Sequence, residues 1–131
     1  MIIFKPDAVE RGLVGTLLSR WETKGYEIVA MKKLVAEREV MELHYLEHQE
    51  QNFYHALVDR MIAGPIVVVV FQGKNVVQWS RAEIGPTDPS IAPSSTIRGR
   101  FAIDRESNVV HASDSVGSAK RELAVWSKHV F

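Results

Sequence analysis

The sequence contains no cysteine. That excludes a disulfide framework, thiolate catalysis and cysteine-ligated zinc or iron–sulfur centres. There is no excess charge of either sign: 16 Lys and Arg balance 16 Asp and Glu. No overall field draws the chain to nucleic acid or to an anionic membrane, so neither is an expected partner. Any hold on an anion must come from a local cluster. Long apolar runs are missing as well. The longest, Ile66 to Phe71, is far short of the ~20 residues a membrane helix needs. Met1 to Phe4 is apolar but meets Lys5-Pro6-Asp7 at once and has no basic stretch before it. It does not read as a signal peptide, and a cytoplasmic location is expected. There is no Gly-x-x-x-x-Gly-Lys loop and no Gly-x-Gly-x-x-Gly turn. A phosphate site here would have to be built from side chains.

What is present fits an ordinary globular domain. The 131 residues are 46% hydrophobic and 24% charged, and no linker or repeat divides them, so a single domain over 1–131 is expected. A short buried strand is expected over 1–4, ended by Pro6 and Asp7. Leu13, Leu17, Leu18 and Trp21 recur at helical spacing, and Gly25 stands where a C-terminal cap belongs. A strand follows over 26–34, then helices over 37–47 and 53–63. Ile66-Val67-Val68-Val69-Val70-Phe71 is a strand with both faces buried, since its β-branched residues run without a polar break. A helix over 75–84 leads into a proline-rich loop, 85–95, and a short apolar strand lies near Val109-Val110. Ser113-Asp114-Ser115 offers N-caps for a last helix, with Ala119, Leu123 and Trp126 on one face. Alternating strands and helices fit a parallel α/β sheet, and four strands fit a split βαβ arrangement equally well.

The strongest chemical signal is Asn108-Val109-Val110-His111-Ala112-Ser113-Asp114-Ser115. A histidine ends an apolar strand, and small polar residues start a helix beside it. Small neighbours leave room for a ligand, and a helix N-terminus suits a phosphate. Glu122, eleven residues on, can turn back to orient the imidazole. The same spacing also fits a partly buried histidine beside an ordinary cap. Lys5 at the end of the first strand can face a cleft, or can be a solvated lysine before a turn. Arg81, Thr87 and Arg98 bracket the proline-rich loop and can clamp a polyphosphate, because guanidinium forks match phosphate oxygens. His44 and His48 have the i, i+4 spacing of a metal pair but no evident third ligand, which also suits a solvated helix face.

Together these residues resemble one family, the nucleoside diphosphate kinases. Asn108 to Ser115 is similar to that family's signature around its catalytic histidine. Lys5-Pro6-Asp7, Arg11-Gly12-Leu13-Val14-Gly15, His44-Tyr45, Ala63-Gly64-Pro65 and Thr96-Ile97-Arg98-Gly99 follow in the family's order and at its spacing. The resemblance covers essentially the whole chain. It implies an α+β fold, a ferredoxin-like sandwich with a four-stranded antiparallel sheet covered by helices. It implies reversible transfer of a γ-phosphoryl group from a nucleoside triphosphate, typically ATP, to a nucleoside diphosphate, of ribo or deoxyribo form. The transfer would run in two half-reactions through a phosphohistidine at His111, with Glu122 holding the imidazole and Ser113 supporting it. Lys5, Tyr45, Arg81, Thr87, Arg98 and Asn108 match positions that contact phosphate or ribose. Phe53 and Leu57 match those beside the base. Mg2+ would bridge the phosphates with Asp114 close by. A homo-oligomer, hexamer or tetramer built from dimers, is implied as well.

The sequence also departs from the family's pattern. Ala112 stands where glycine usually follows the histidine. Ser94-Ser95 replaces Pro-Gly, Arg100 replaces an aspartate, and Asn52 replaces a proline. Arg105 stands where an apolar residue usually covers the base. Its guanidinium can stack on the base, or it can pair at the surface with Asp104 or Glu106. These departures leave open a catalytically weak member that serves as a nucleotide-binding or protein-interaction module.

Overall fold

The computed structural model describes residues 1–131. Four strands form one sheet: β1 (Ile2–Phe4), β2 (Glu27–Leu34), β3 (Ile66–Gln72) and β4 (Val110–Ala112). The order across the sheet is β2-β3-β1-β4, and every pairing is antiparallel. That is the ferredoxin-like arrangement and excludes the parallel sheet. Seven α-helices cover it: α1 (Pro6–Glu10), α2 (Val14–Lys24), α3 (Arg38–His44), α4 (Tyr54–Ile62), α5 (Val76–Ile84), α6 (Ile97–Phe101) and α7 (Val116–Val130).

The two-sided burial of β3 has a simple cause. Ile66, Val68 and Val70 face one apolar cluster, with Val40, Met41, Val58, Met61 and Trp126 of α3, α4 and α7. Val67, Val69 and Phe71 face the other, with Leu17, Trp21, Ile84 and Ile97 of α2, α5 and α6. Successive side chains of a strand point to opposite faces, so a strand between two helical layers must be apolar throughout. Trp21 anchors the second cluster. It stacks on Phe71 with ring centres 5.5 Å apart and donates its indole N–H to Ser80 Oγ at 2.8 Å. Gly25 ends α2 at φ 101°, the left-handed conformation that glycine adopts without strain.

The expected elements are present, with instructive differences. The helix expected over 37–47 stops at His44, and a separate 3₁₀ turn, Leu46–His48, follows. The proline-rich loop contains a second 3₁₀ turn, Pro89–Ile91, capped by Asp88 Oδ1, which accepts from Ser90 N at 3.0 Å. Two helices of five residues, α1 and α6, have no counterpart in the sequence reading, because one turn is too short to show a period. Pro6 ends β1 and also opens α1, where its missing N–H costs nothing. Ser115 supplies the cap for α7, its Oγ accepting from Ser118 N at 3.0 Å.

Candidate active site

The register of β4 decides which face carries the candidate nucleophile. Ile3 pairs with His111, and Val110 and Ala112 flank it on the opposite face. Val110 and Ala112 are buried among α2, α5 and α6. His111 therefore shares the α3/α4/α7 face with Ile3. Lys5 lies two residues beyond Ile3 on the same face, and its N–H donates to Val109 O at 2.9 Å. The strand period thus sets Lys5 beside His111 although 106 positions separate them.

Just before β4 the backbone is strained. Val109 has φ 64°, which is unusual for a β-branched residue, and Val110 N donates to Asn108 O at 2.8 Å. This closes a tight three-residue turn. Asp7 Oδ2 accepts from Val109 N at 3.2 Å and helps hold the turn. Asn108 points its side chain inward, where Oδ1 accepts from Lys5 Nζ at 2.7 Å. Asn108 Nδ2 donates to Arg105 O at 2.9 Å.

His111 Nε2 meets Glu122 Oε1 at 2.9 Å. Glu122 is only 2% exposed, and its Oε1 also accepts from Ser113 Oγ at 2.8 Å. A carboxylate only accepts, so it fixes the proton of the neutral imidazole on Nε2 and leaves the lone pair on Nδ1. Burial holds the imidazole well below its usual pKa, and the positive charge of Lys5 pushes the same way. His111 is therefore neutral near pH 7, and 18% of its side chain remains accessible.

A cavity of about 510 Å³ opens in front of His111. Lys5, Tyr45, Arg81, Thr87, Arg98, Asn108 and Asp114 line it, with Phe53 and Leu57 among its apolar residues. Ser113 is the one candidate residue that does not line it; it is buried behind Glu122. Arg98 is 4% exposed, and its guanidinium donates to Gly85 O at 3.1 Å and to Val110 O at 2.8 Å. Arg81 reaches Ala112 O more loosely, at 3.4 Å. Burial brings the Lys5 ammonium down to about 7, and the neighbouring Arg98 adds to the effect. Burial also brings Arg98 down to about 10, with Arg81 contributing. Cationic groups held without carboxylate partners in a partly closed cavity make a site for an anion of several charges.

Two expectations change. His44 and His48 do not form a pair: His44 ends α3 and is buried, whereas His48 sits on the next turn beside Glu47. His44 instead joins His111 and Glu122, a grouping that spacing could not reveal because the three come from α3, β4 and α7. Arg105 pairs neither with Asp104 nor with Glu106. It bonds Asp88 Oδ2 at 2.9 Å and is 72% exposed. Asp104 caps its own turn, accepting from Glu106 N and Ser107 N. Arg60 and Glu106 also line the cavity and escaped the sequence reading.

The fold and site define a class: a ferredoxin-like α+β protein whose cavity holds a neutral histidine, oriented by a buried carboxylate, among cationic side chains. The family model for nucleoside diphosphate kinases matches residues 1–130, and the chain belongs to that family. The chain is 50% identical over 125 residues to nucleoside diphosphate kinase from Archaeoglobus fulgidus, covering 95% of this chain and 83% of that one. It is 47% identical over 124 residues to the cytosolic nucleoside diphosphate kinase of Dictyostelium discoideum, covering 95% and 80%. Among solved structures, a halophilic nucleoside diphosphate kinase from Halobacterium salinarum in complex with CDP superposes with a TM-score of 0.92. Its sequence identity is 35%, over 95% of this chain and 84% of that one.

Proposed function

We propose that the chain catalyses reversible transfer of the γ-phosphoryl group from a nucleoside triphosphate to a nucleoside diphosphate through a phosphohistidine at His111. The observation that carries this reading is the His111 Nε2 to Glu122 Oε1 bond of 2.9 Å. It leaves Nδ1 with its lone pair in a cavity lined by Lys5, Arg81 and Arg98.

In the first half-reaction Nδ1 attacks the γ-phosphorus. The N–P bond forms as the bond to the bridging oxygen breaks, and the diphosphate leaves with that electron pair. His111 keeps its Nε2 proton, and Glu122 stabilises the positive charge that develops on the ring. Lys5 and Arg98 offset negative charge on the phosphoryl oxygens, as electrostatic preorganisation requires. The second half-reaction reverses these steps with another diphosphate. One histidine serves donor and acceptor in turn. Arg81, Thr87 and Asn108 hold the remaining phosphates and the ribose, and Phe53 and Leu57 offer a flat apolar contact to the base. Such contact discriminates weakly among bases, so broad acceptance of ribo and deoxyribo forms is expected.

Mg2+ suits the donors at hand, because Asp114 offers a carboxylate beside the cavity and the phosphates supply the other oxygens, without an all-protein cage. When bound, the cation offsets charge on the phosphates. The 131 residues act as one catalytic domain, and likeness to a relative named cytosolic supports a cytoplasmic setting. Homo-oligomers built from dimers are supported by the edge strand β2, on which Val29 and Met31 are exposed.

The test is direct. Wild-type protein incubated with ATP labelled at the γ-phosphate should form an acid-labile, alkali-stable phosphoprotein and pass the label to added diphosphate. His111→Ala should do neither. Free phosphate without a phosphoenzyme, or label retained by His111→Ala, would refute the reading.

A further inference from the structure

Three buried side-chain polar atoms in the chain have no hydrogen-bond partner: His44 Nε2, Tyr45 Oη and Arg98 Nε. All three residues line the His111 cavity. Buried polar groups are nearly always satisfied, so each exception calls for a reason. Tyr45 matches a phosphate- or ribose-contacting position by family resemblance, and Arg98 already faces the phosphate in the function proposed above. His44 has no part in it.

The protonation of His44 follows from Trp126. The indole Nε1–H donates to His44 Nδ1 at 3.0 Å. Indole only donates, so Nδ1 holds a lone pair and the ring proton sits on Nε2. In that tautomer Nε2 has no lone pair to offer a cation shared among His44, His111 and Glu122. Their polar atoms lie within 4.8 Å of one another, but a nitrogen that bears a proton does not ligate. What His44 presents is a donor without an acceptor. Its ring stands at 76° to that of His111, with centres 4.5 Å apart.

We propose that His44 is a further catalytic residue, whose Nε2–H donates a hydrogen bond to the phosphoryl group carried on His111. This rests on the phosphohistidine reading. No bond to His44 forms or breaks, and its proton stays on Nε2 throughout. The ring is also kept neutral. Burial lowers its pKa well below the usual value; His111 of β4, Arg121 of α7 and Lys5 beyond β1 reinforce this, while Glu122 of α7 opposes it. A neutral donor satisfies a phosphoryl oxygen without adding a second proton source beside the labile N–P bond. The backbone is anchored for the task, since Arg121 of α7 donates to His44 O at 3.2 Å and to Leu43 O at 3.3 Å.

Asparagine and glutamine separate the two ring nitrogens. His44→Asn keeps an acceptor near Nδ1 for Trp126 and removes the Nε2 donor. His44→Gln places an N–H near Nε2 and gives up the acceptor. Single-turnover phosphorylation by ATP should slow by about ten- to a hundredfold in His44→Asn, the scale of a hydrogen bond to a charged group. The loss in His44→Gln should be smaller, although that variant should melt at a lower temperature. A wild-type rate in His44→Asn, or equal slowing in both variants, would overturn the assignment. So would long-range 1H–15N spectra of the wild-type protein placing the His44 proton on Nδ1, a measurement that needs no variant to fold. If the wild type forms no phosphoenzyme, the phosphohistidine reading itself fails, a result distinct from these.

Discussion

The indole of Trp126 and the carboxylate of Glu122 lie four residues apart on one face of α7, and each determines the tautomer of a different imidazole. Trp126 takes the Nδ1 lone pair of His44 at 3.0 Å, and Glu122 takes the Nε2 side of His111 at 2.9 Å. A single helical turn therefore sets which nitrogen donates and which attacks.

Both imidazoles are held neutral, and this has a consequence for acid stability. Their folded pKa values lie well below 6.5. The unfolded chain thus binds more protons once pH falls toward the ordinary histidine value, so stability must drop there. Melting temperature should decrease as pH is lowered from about 7 to 5.5, and His44→Asn should make the slope shallower. Calorimetry across that range provides the check. An unchanged slope in His44→Asn would contradict a neutral buried ring.

Lys5 should report nucleotide binding as proton uptake. Its pKa is about 7 in the folded chain against 10.5 ordinarily. Between these values the unfolded chain holds the proton and the folded chain has lost it, so stability gains as pH rises through that window. A bound polyphosphate favours the charged ammonium and raises the pKa again. At pH near 8, titration calorimetry in buffers of different ionisation enthalpy should show net proton uptake. Lys5→Met should abolish it. No uptake by the wild type would remove Lys5 from contact with phosphate.

Arg98 couples fold and chemistry. Its guanidinium bridges Gly85 O and Val110 O, the latter next to His111 in the chain. Arg98→Lys retains the charge but cannot span both carbonyls. It should slow phosphoenzyme formation by roughly 10²–10³, the scale for one preorganised electrostatic donor. It should also lower the melting temperature. A rate within about twofold of wild type would exclude transition-state stabilisation by this fork.

Arg105 should matter less to base choice than its position in the sequence suggests. The exposed pair with Asp88 holds it at the cavity rim, and such pairs are weak and screened by salt. Arg105→Val should therefore leave the relative kcat/KM of four acceptor diphosphates unchanged. A few-fold shift in those ratios would show instead that the guanidinium leaves Asp88 to stack on the base.

Much was legible in the residues alone because burial leaves periodic traces. The unbroken apolar run of β3 announced a strand covered on both faces, and Gly25 and Ser115 marked helix ends through local backbone chemistry. His111 stood out for a local reason too: a histidine between an apolar strand and small helix-starting residues. The five-residue helices α1 and α6 left no such trace. Nor did the break after His44, where continued helix formers conceal a change to a tighter turn.

The amino-acid sequence by itself determined the four strands and the longer helices, which of their faces are apolar, and that a lone histidine meets a helix start near the chain's end. The tertiary structure alone decided that the sheet is antiparallel, that Arg105 finds Asp88, and that His44 lies against His111. The reason is range. Helix and strand periods record contacts between near neighbours and the burial of one face. The partner across a sheet, or a hydrogen bond between residues 82 positions apart such as Trp126 and His44, leaves no mark on either segment's own pattern. Those contacts exist only once distant segments have packed against the same sheet.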